Sequence, residues 1–145
     1  MGPTETKILA KIRQQGHKLT PQRRAVLHAI AHTQNPLTPN EVYLRVRQKN
    51  PSIGLVTIYR TLSVLAKLDL ICEVHTGENA RGYVGSPLEH HGHLICSECG
   101  KVIDFTGCNF GTLEQRLSSE TGFIIKEHIL EFHGRCQACQ LKTAV

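Results

Sequence analysis

The sequence predicts an α+β chain of two small domains, helical first and mixed α/β second. Three observations carry this reading. Apolar stripes at helical spacing, each with a start signal, fill residues 1–70; a turn-rich segment between two β-prone runs follows; and beyond about residue 90 come short strand-like runs with two Cys-x-x-Cys pairs. A length of 145 residues suits one ordinary domain or two small ones with limited cores.

The first helix is expected from about Thr4 to Gln15, with Ile8, Leu9 and Ile12 on one side and Gly16 as a stop. Thr20-Pro21 pairs an N-cap with proline at the first helical position, and Val26, Leu27 and Ile30 carry the second helix to about His32. Thr38-Pro39-Asn40-Glu41 repeats the device as a capping box, with Val42, Leu44 and Val46 as apolar contacts before Asn50-Pro51. A fourth helix spans about Gly54 to Leu68, with Ile58, Leu62 and Leu65 inward and Thr57, Arg60, Ser63 and Lys67 mostly outward. The runs 70–75 and 83–84 flank the turn-rich segment 77–82 and predict a two-stranded hairpin. Helices followed by such a hairpin make a winged helix-turn-helix.

Residues 85–89, including Pro87, have loop composition, which divides the chain into 1–84, a hinge at 85–89, and 90–145. In the second domain, strands are expected at 93–96 and 101–105. A helix bearing Phe110, Leu113 and Leu117 and closed by Gly122 follows, then a last strand from Phe123 to Phe132.

Charge is distributed unevenly. Residues 1–70 hold eleven Lys/Arg against three Asp/Glu, whereas residues 71–145 hold six against nine. A basic first half suits a polyanion such as the DNA backbone, where Lys and Arg release condensed counterions. No run of eighteen apolar residues exists and the N-terminus has no apolar signal region, so a cytoplasmic chain with no membrane partner is expected.

Six cysteines in such a compartment read as metal ligands or redox thiols before disulfides. Cys96 and Cys99, and Cys136 and Cys139, form two Cys-x-x-Cys knuckles, and a pair of knuckles completes the four-thiolate shell that structural Zn²⁺ prefers. A redox pair would place one Cys-x-x-Cys at the opening of a helix after a strand. Here both pairs are expected beside short strands. Just before the first knuckle stands His90-His91-Gly92-His93. On a strand, residues two apart share a face, so His91 and His93 can bind one ion while His90 points away.

These residues resemble the ferric uptake regulator family of metal-dependent repressors. The resemblance is carried by Leu19-Thr20-Pro21-Gln22-Arg23, by residues 53–62 with Thr57-Ile58-Tyr59-Arg60, by residues 90–100, and by Cys136-Gln137-Ala138-Cys139, in family order. It implies a homodimer paired through the C-terminal domains, winged helices on a palindromic double-stranded operator, and a regulatory metal at the hinge. It assigns DNA contacts to Lys18, Thr57, Tyr59 and Arg60, with half-buried packing as the other reading of Tyr59. Arg60 suits bidentate contact with guanine, and Tyr59 suits a thymine methyl.

For the regulatory ion the resemblance implies His91 and His93 plus further ligands. Positions that hold a histidine and a carboxylate in iron and peroxide sensors hold Pro36 and either Val84 or Gly85 here. Cys72 stands where zinc sensors carry an acidic residue, and Ser86 where they carry a cysteine. Two imidazoles with a thiolate favour Zn²⁺ over Fe²⁺. Asp104 is the expected fourth ligand, with His32 as the alternative, and Cys72 has a second reading as a buried strand residue. An accessory site matching His90 and His128 has Gly92 and Gly111 at its carboxylate positions, so it is expected weak or absent, with Cys108 a free thiol. The chain is thus expected to be no enzyme but a zinc-responsive repressor. Iron or peroxide sensing is the alternative, and a zinc hydrolase is a remote one.

Overall fold

The computed structural model describes residues 3–143 apart from 32, 34, 78, 79 and 88, and the chain divides into two compact units, Met1–Leu88 and Glu89–Val145. His32, the alternative fourth ligand, lies outside the described residues.

The first unit contains α1 (Pro3–Gln14), α2 (Pro21–Ala31), α3 (Pro39–Arg47) and α4 (Leu55–Lys67), then the antiparallel strands β1 (Ile71–His75) and β2 (Arg81–Gly85). Two of the helix starts rest on threonine. Thr20 Oγ1 accepts from the Arg23 amide at 3.3 Å, and Thr38 Oγ1 accepts from the Glu41 amide at 3.2 Å, each satisfying an amide with no intrahelical partner. Helix α4 is amphipathic, burying Ile58, Thr61, Leu62 and Leu65. With Ile12, Val26, Ile30, Val42 and Val46, the three apolar residues Ile58, Leu62 and Leu65 form one aliphatic core. Each fully buried aliphatic side chain contributes about 1.5–3 kcal/mol. Leu44, expected among the apolar contacts of the third helix, is instead 59% exposed. Val42 and Val46 are four apart and take the inner face, which turns position 44 away from it.

The hairpin is tied to the helices through backbone. Leu37 and Tyr83 exchange amide-to-carbonyl bonds of 3.0 and 2.9 Å, which adds a strand-like bridge from the α2–α3 loop to β2. Gly82 permits this approach, because a Cβ there would lie 2.5 Å from Pro36 Cβ and 3.2 Å from the Pro36 carbonyl carbon.

In the second unit a three-stranded sheet has the order β4-β3-β5, from β3 (Gly92–Cys96), β4 (Val102–Phe105) and β5 (Glu131–Gly134). Strand β3 pairs antiparallel with β4 and parallel with β5. Helix α5 (Gly111–Thr121) lies between β4 and β5 in sequence, and Gly122 closes it in the left-handed region at φ 75°. The expected strand from Phe123 to Phe132 forms only at its end. Strand β3 is five residues long, its register with β5 runs from His93↔Glu131 to Cys96↔Gly134, and the His93 amide donates to the Leu130 carbonyl at 3.1 Å, which leaves residues 123–129 beyond the end of β3. A short helix, α6 (Gln137–Thr143), follows β5 and was not expected.

The second unit has little apolar interior. Ile95, Cys96 and Cys139 are its buried apolar side chains among the described residues, and α5 buries none.

Replacing Gly82 with alanine is expected to destabilise the first unit by about 1–3 kcal/mol, as overpacking against backbone does. Thermal denaturation of the full chain checks this, and an unchanged melting temperature would contradict it.

Candidate functional site

Cys96 ends β3, and the chain turns back through Gly100, whose φ is 78° and whose amide donates to the Cys96 carbonyl at 3.0 Å. The second knuckle opens α6, so Cys136 and Cys139 do follow a strand and begin a helix, contrary to expectation. What decides against a redox pair is where the sulfurs go. Cys96 Sγ lies 3.8 Å from Cys139 Sγ and Cys99 Sγ lies 3.8 Å from Cys136 Sγ, both contacts crossing between knuckles. All four sulfurs fall within 4.8 Å of one another.

The amides of Cys136 and Cys99 donate to Cys96 Sγ at 3.4 and 3.5 Å and draw its thiol down to about 6. Hydrogen bonding with Cys136, burial and the other thiols push Cys139 up to about 12. Four sulfurs this close resist joint ionisation unless a cation balances them. Their number, spacing and chemistry fit a tetrahedral structural zinc site.

His93 is 6% exposed and stands opposite Asp104 in the β3–β4 register. Asp104 Oδ1 lies 2.9 Å from His93 Nδ1. A carboxylate accepts, so Nδ1 carries the hydrogen and the lone pair is on Nε2. His91 is set the same way, its Nδ1 donating to the Glu89 carbonyl at 2.6 Å. The two rings meet edge to face with centroids 4.7 Å apart. Between them Gly92 lies under the Phe105 ring, where a Cβ would be 2.3 Å from Cζ.

Burial pulls the His93 pKa below its ordinary value of 6.5, and the nearby His91 adds to this while Asp104 opposes it. Asp104, expected as a ligand, holds His93 in place through one oxygen. Cys72 is half-buried on β1 of the first unit, paired with Val84. His90 and His128 are brought together with Nε2 atoms 3.0 Å apart, and Cys108 joins them, its Sγ 3.1 Å from His128 Nε2. Cys108 is therefore no isolated thiol.

On α4, Tyr59 is 53% exposed, Arg60 is exposed and Thr57 is half-buried, while Lys18 is exposed before α2. Val56, 63% exposed, shares the outer surface of α4. Sequence reasoning missed it, although it falls outside the Ile58, Leu62, Leu65 stripe and that pattern marks it as outward.

Comparison with known proteins decides what kind of protein holds these sites. The model of the Ferric uptake regulator family matches residues 14–133. The chain belongs to the ferric uptake regulator family. It is 35% identical over 141 residues to the ferric uptake regulation protein of Bacillus subtilis, covering 94% of each chain. It is 31% identical over 134 residues to the peroxide-responsive repressor PerR of Staphylococcus aureus, covering 92% of this chain and 90% of that one. A solved zinc uptake regulator, complexed with zinc and DNA, superposes with a TM-score of 0.77 at 24% identity, covering 100% of both chains, a likeness of fold. As a ferric uptake regulator family member the chain is a metal-binding, DNA-binding transcriptional repressor, and the hydrolase reading is set aside because the family regulates transcription. No helix among the described residues is long and apolar enough to cross a membrane.

Replacing Cys136 with serine, or stripping metal with a strong chelator, is expected to unfold the second unit. A zinc-thiolate site contributes roughly 10–16 kcal/mol, more than so thin a core replaces. Circular dichroism with zinc analysis reads the loss, and a folded zinc-free second unit would contradict it. Stability should also depend on His93. Above 6.5 the imidazole is neutral folded or unfolded; as pH falls from there toward the lower folded value, the unfolded chain binds the proton first and stability is lost. A His93→Gln variant should show a shallower fall in melting temperature over that window.

Proposed function

We propose that this family member is a zinc-responsive repressor that acts in the cytoplasm, binding a palindromic operator as a homodimer when its regulatory ion is bound. The observation that carries the reading is the histidine pair: both Nδ1 atoms are committed to oxygen acceptors, so His91 and His93 each direct an Nε2 lone pair. Cys72 supplies a thiolate to the same ion. Two imidazoles and a thiolate prefer Zn²⁺ to Fe²⁺, which favours harder oxygen donors. Asp104 acts through His93, fixing its tautomer and raising its basicity as a ligand.

The family resemblance implies that the regulatory ion sets the DNA-binding geometry. A repressor gains DNA affinity from this only if the ion favours the orientation in which two recognition helices match successive major grooves. Helix α4 is the recognition helix, with Arg60 reading guanine, Tyr59 on a thymine methyl, and Thr57 and Lys18 as polar and phosphate contacts. The eleven Lys/Arg of residues 1–70 supply the non-specific attraction.

Pairing through the second unit is supported by an apolar face. Leu94, Ile103 and Phe132 are adjacent in the sheet register and are 44%, 47% and 52% exposed, a surface that a second copy would cover.

A fluorescence titration on DNA from the chain's own promoter region tests the metal assignment, using protein that retains its structural zinc. Zinc is expected to drive binding at lower free concentration than ferrous iron, and Cys72→Ser should raise the zinc required. Binding driven by ferrous iron alone would overturn the proposal.

A further inference from the structure

The outer surface of α4 carries an apolar side chain where its amphipathic pattern calls for a polar one. At about 100° per residue, the buried stripe of Ile58, Leu62 and Leu65 covers a narrow arc, and the line opposite it is Val56, Arg60, Ser63 and Lys67. All four are exposed, and Val56 is the apolar member, at 63%. Thr57 and Tyr59 fall on the flanks, each about 100° from Ile58. Val56 thus stands on the crest of the helix, in its first turn and one turn before Arg60.

At that exposure Val56 adds little to the core. The start of α4 is also open: among the described residues, chain neighbours aside, nothing lies within 4 Å of where a Cβ on Gly54 would be. Residues 55–67 hold no Asp or Glu, and residues 1–70 hold eleven Lys/Arg against three Asp/Glu, so the surface around the valine suits a polyanion. A polyanion with an apolar feature at its recognition edge is the major groove of DNA, where thymine alone among the four bases presents a methyl group.

Given α4 as the recognition helix, the reading on which this rests, we propose that Val56 is a further base-reading residue whose methyl groups pack on the C5-methyl of a thymine. The N-terminal residues of such a helix are the ones that reach base edges. Valine on a helix keeps essentially one χ1 rotamer, so the backbone places both methyls and the contact orders little that was free. Four residues rise about 6 Å along the helix against about 3.4 Å for each base pair, so the thymine lies about one to two base pairs from the guanine read by Arg60. This contact is separate from that of Tyr59, which leaves the helix from its flank.

Deleting single methyl groups from the DNA tests this. The full chain, with structural zinc in place and with whichever of zinc and ferrous iron promotes binding, is titrated by fluorescence against the bound segment of its own promoter region. Each thymine of that segment is replaced in turn by deoxyuridine. Exposing one buried methyl changes affinity by about 3–5-fold, the weakening expected at the position Val56 reads. Val56→Ala should weaken binding to the thymine duplex by a similar factor and treat thymine and deoxyuridine alike at that position. Val56→Thr, which keeps a methyl, and Tyr59→Phe should stay sensitive there. Alanine is the better helix former and position 56 is exposed, so loss of fold does not produce the weakening, and circular dichroism checks it. Val56→Ala binding as tightly as the unchanged chain, or every deoxyuridine effect surviving in Val56→Ala, overturns the proposal. Arg60→Ala, measured alongside, separates the two failures: if it too binds unchanged, the reading of α4 as the recognition helix falls, and if it alone weakens binding, only Val56 loses its role.

Discussion

The convergence of Cys96, Cys99, Cys136 and Cys139 is the interaction on which the second unit depends. Their sulfurs lie within 4.8 Å of one another, and two of them, Cys96 and Cys139, are among its few buried side chains. Such crowding is unfavourable without a cation and strongly favourable with one, because the ion replaces mutual repulsion with four bonds. The same knot joins the end of β3 to the start of α6, closing the sheet that carries the histidines. The first unit is built the other way, on an aliphatic core running from Ile12 to Ile71. One unit therefore rests on area removed from water and the other on coordination.

This difference bears on function. A repressor that must respond to a metal needs a part that stays folded while the regulatory ion comes and goes. The four-cysteine cluster fits a structural zinc site that would provide that part. The rings of His93 and His91 are each fixed at Nδ1, by Asp104 and by the Glu89 carbonyl. Gly92 contributes by having no side chain, because the Phe105 ring occupies that space between the two histidines.

The outer surface of α4 follows from the amphipathic division of the helix. Ile58, Leu62 and Leu65 bind the helix to the core, and this leaves Val56, Tyr59 and Arg60 outside. The hairpin beside it is held by the Leu37–Tyr83 bridge rather than by side-chain packing alone, which makes its position depend on the small volume of Gly82. Exposed apolar residues on the second unit's sheet fall in one register row for a related reason: alternation on three short strands puts Leu94, Ile103 and Phe132 side by side.

The sequence by itself determined the helices of the first unit, the hairpin, the two knuckles and the face-sharing of His91 and His93. These follow from local rules, namely caps, a 3.6-residue or two-residue period, and ligand spacing. Tertiary structure decided the rest. The strand expected from Phe123 ends up confined to Glu131–Gly134 because the partner strand is short, which no local pattern reports. Leu44 was read as an inner residue because it is apolar, yet the i, i+4 pair Val42 and Val46 already occupied that face. Asp104 stands opposite His93 in register and accepts from its ring, a pairing that residue spacing alone does not report. Cys108 and His128 are twenty residues apart, and only the folding of the chain around α5 brings them to His90. Metal chemistry of this kind depends on which lone pairs converge at one point, and that is a property of the packed chain.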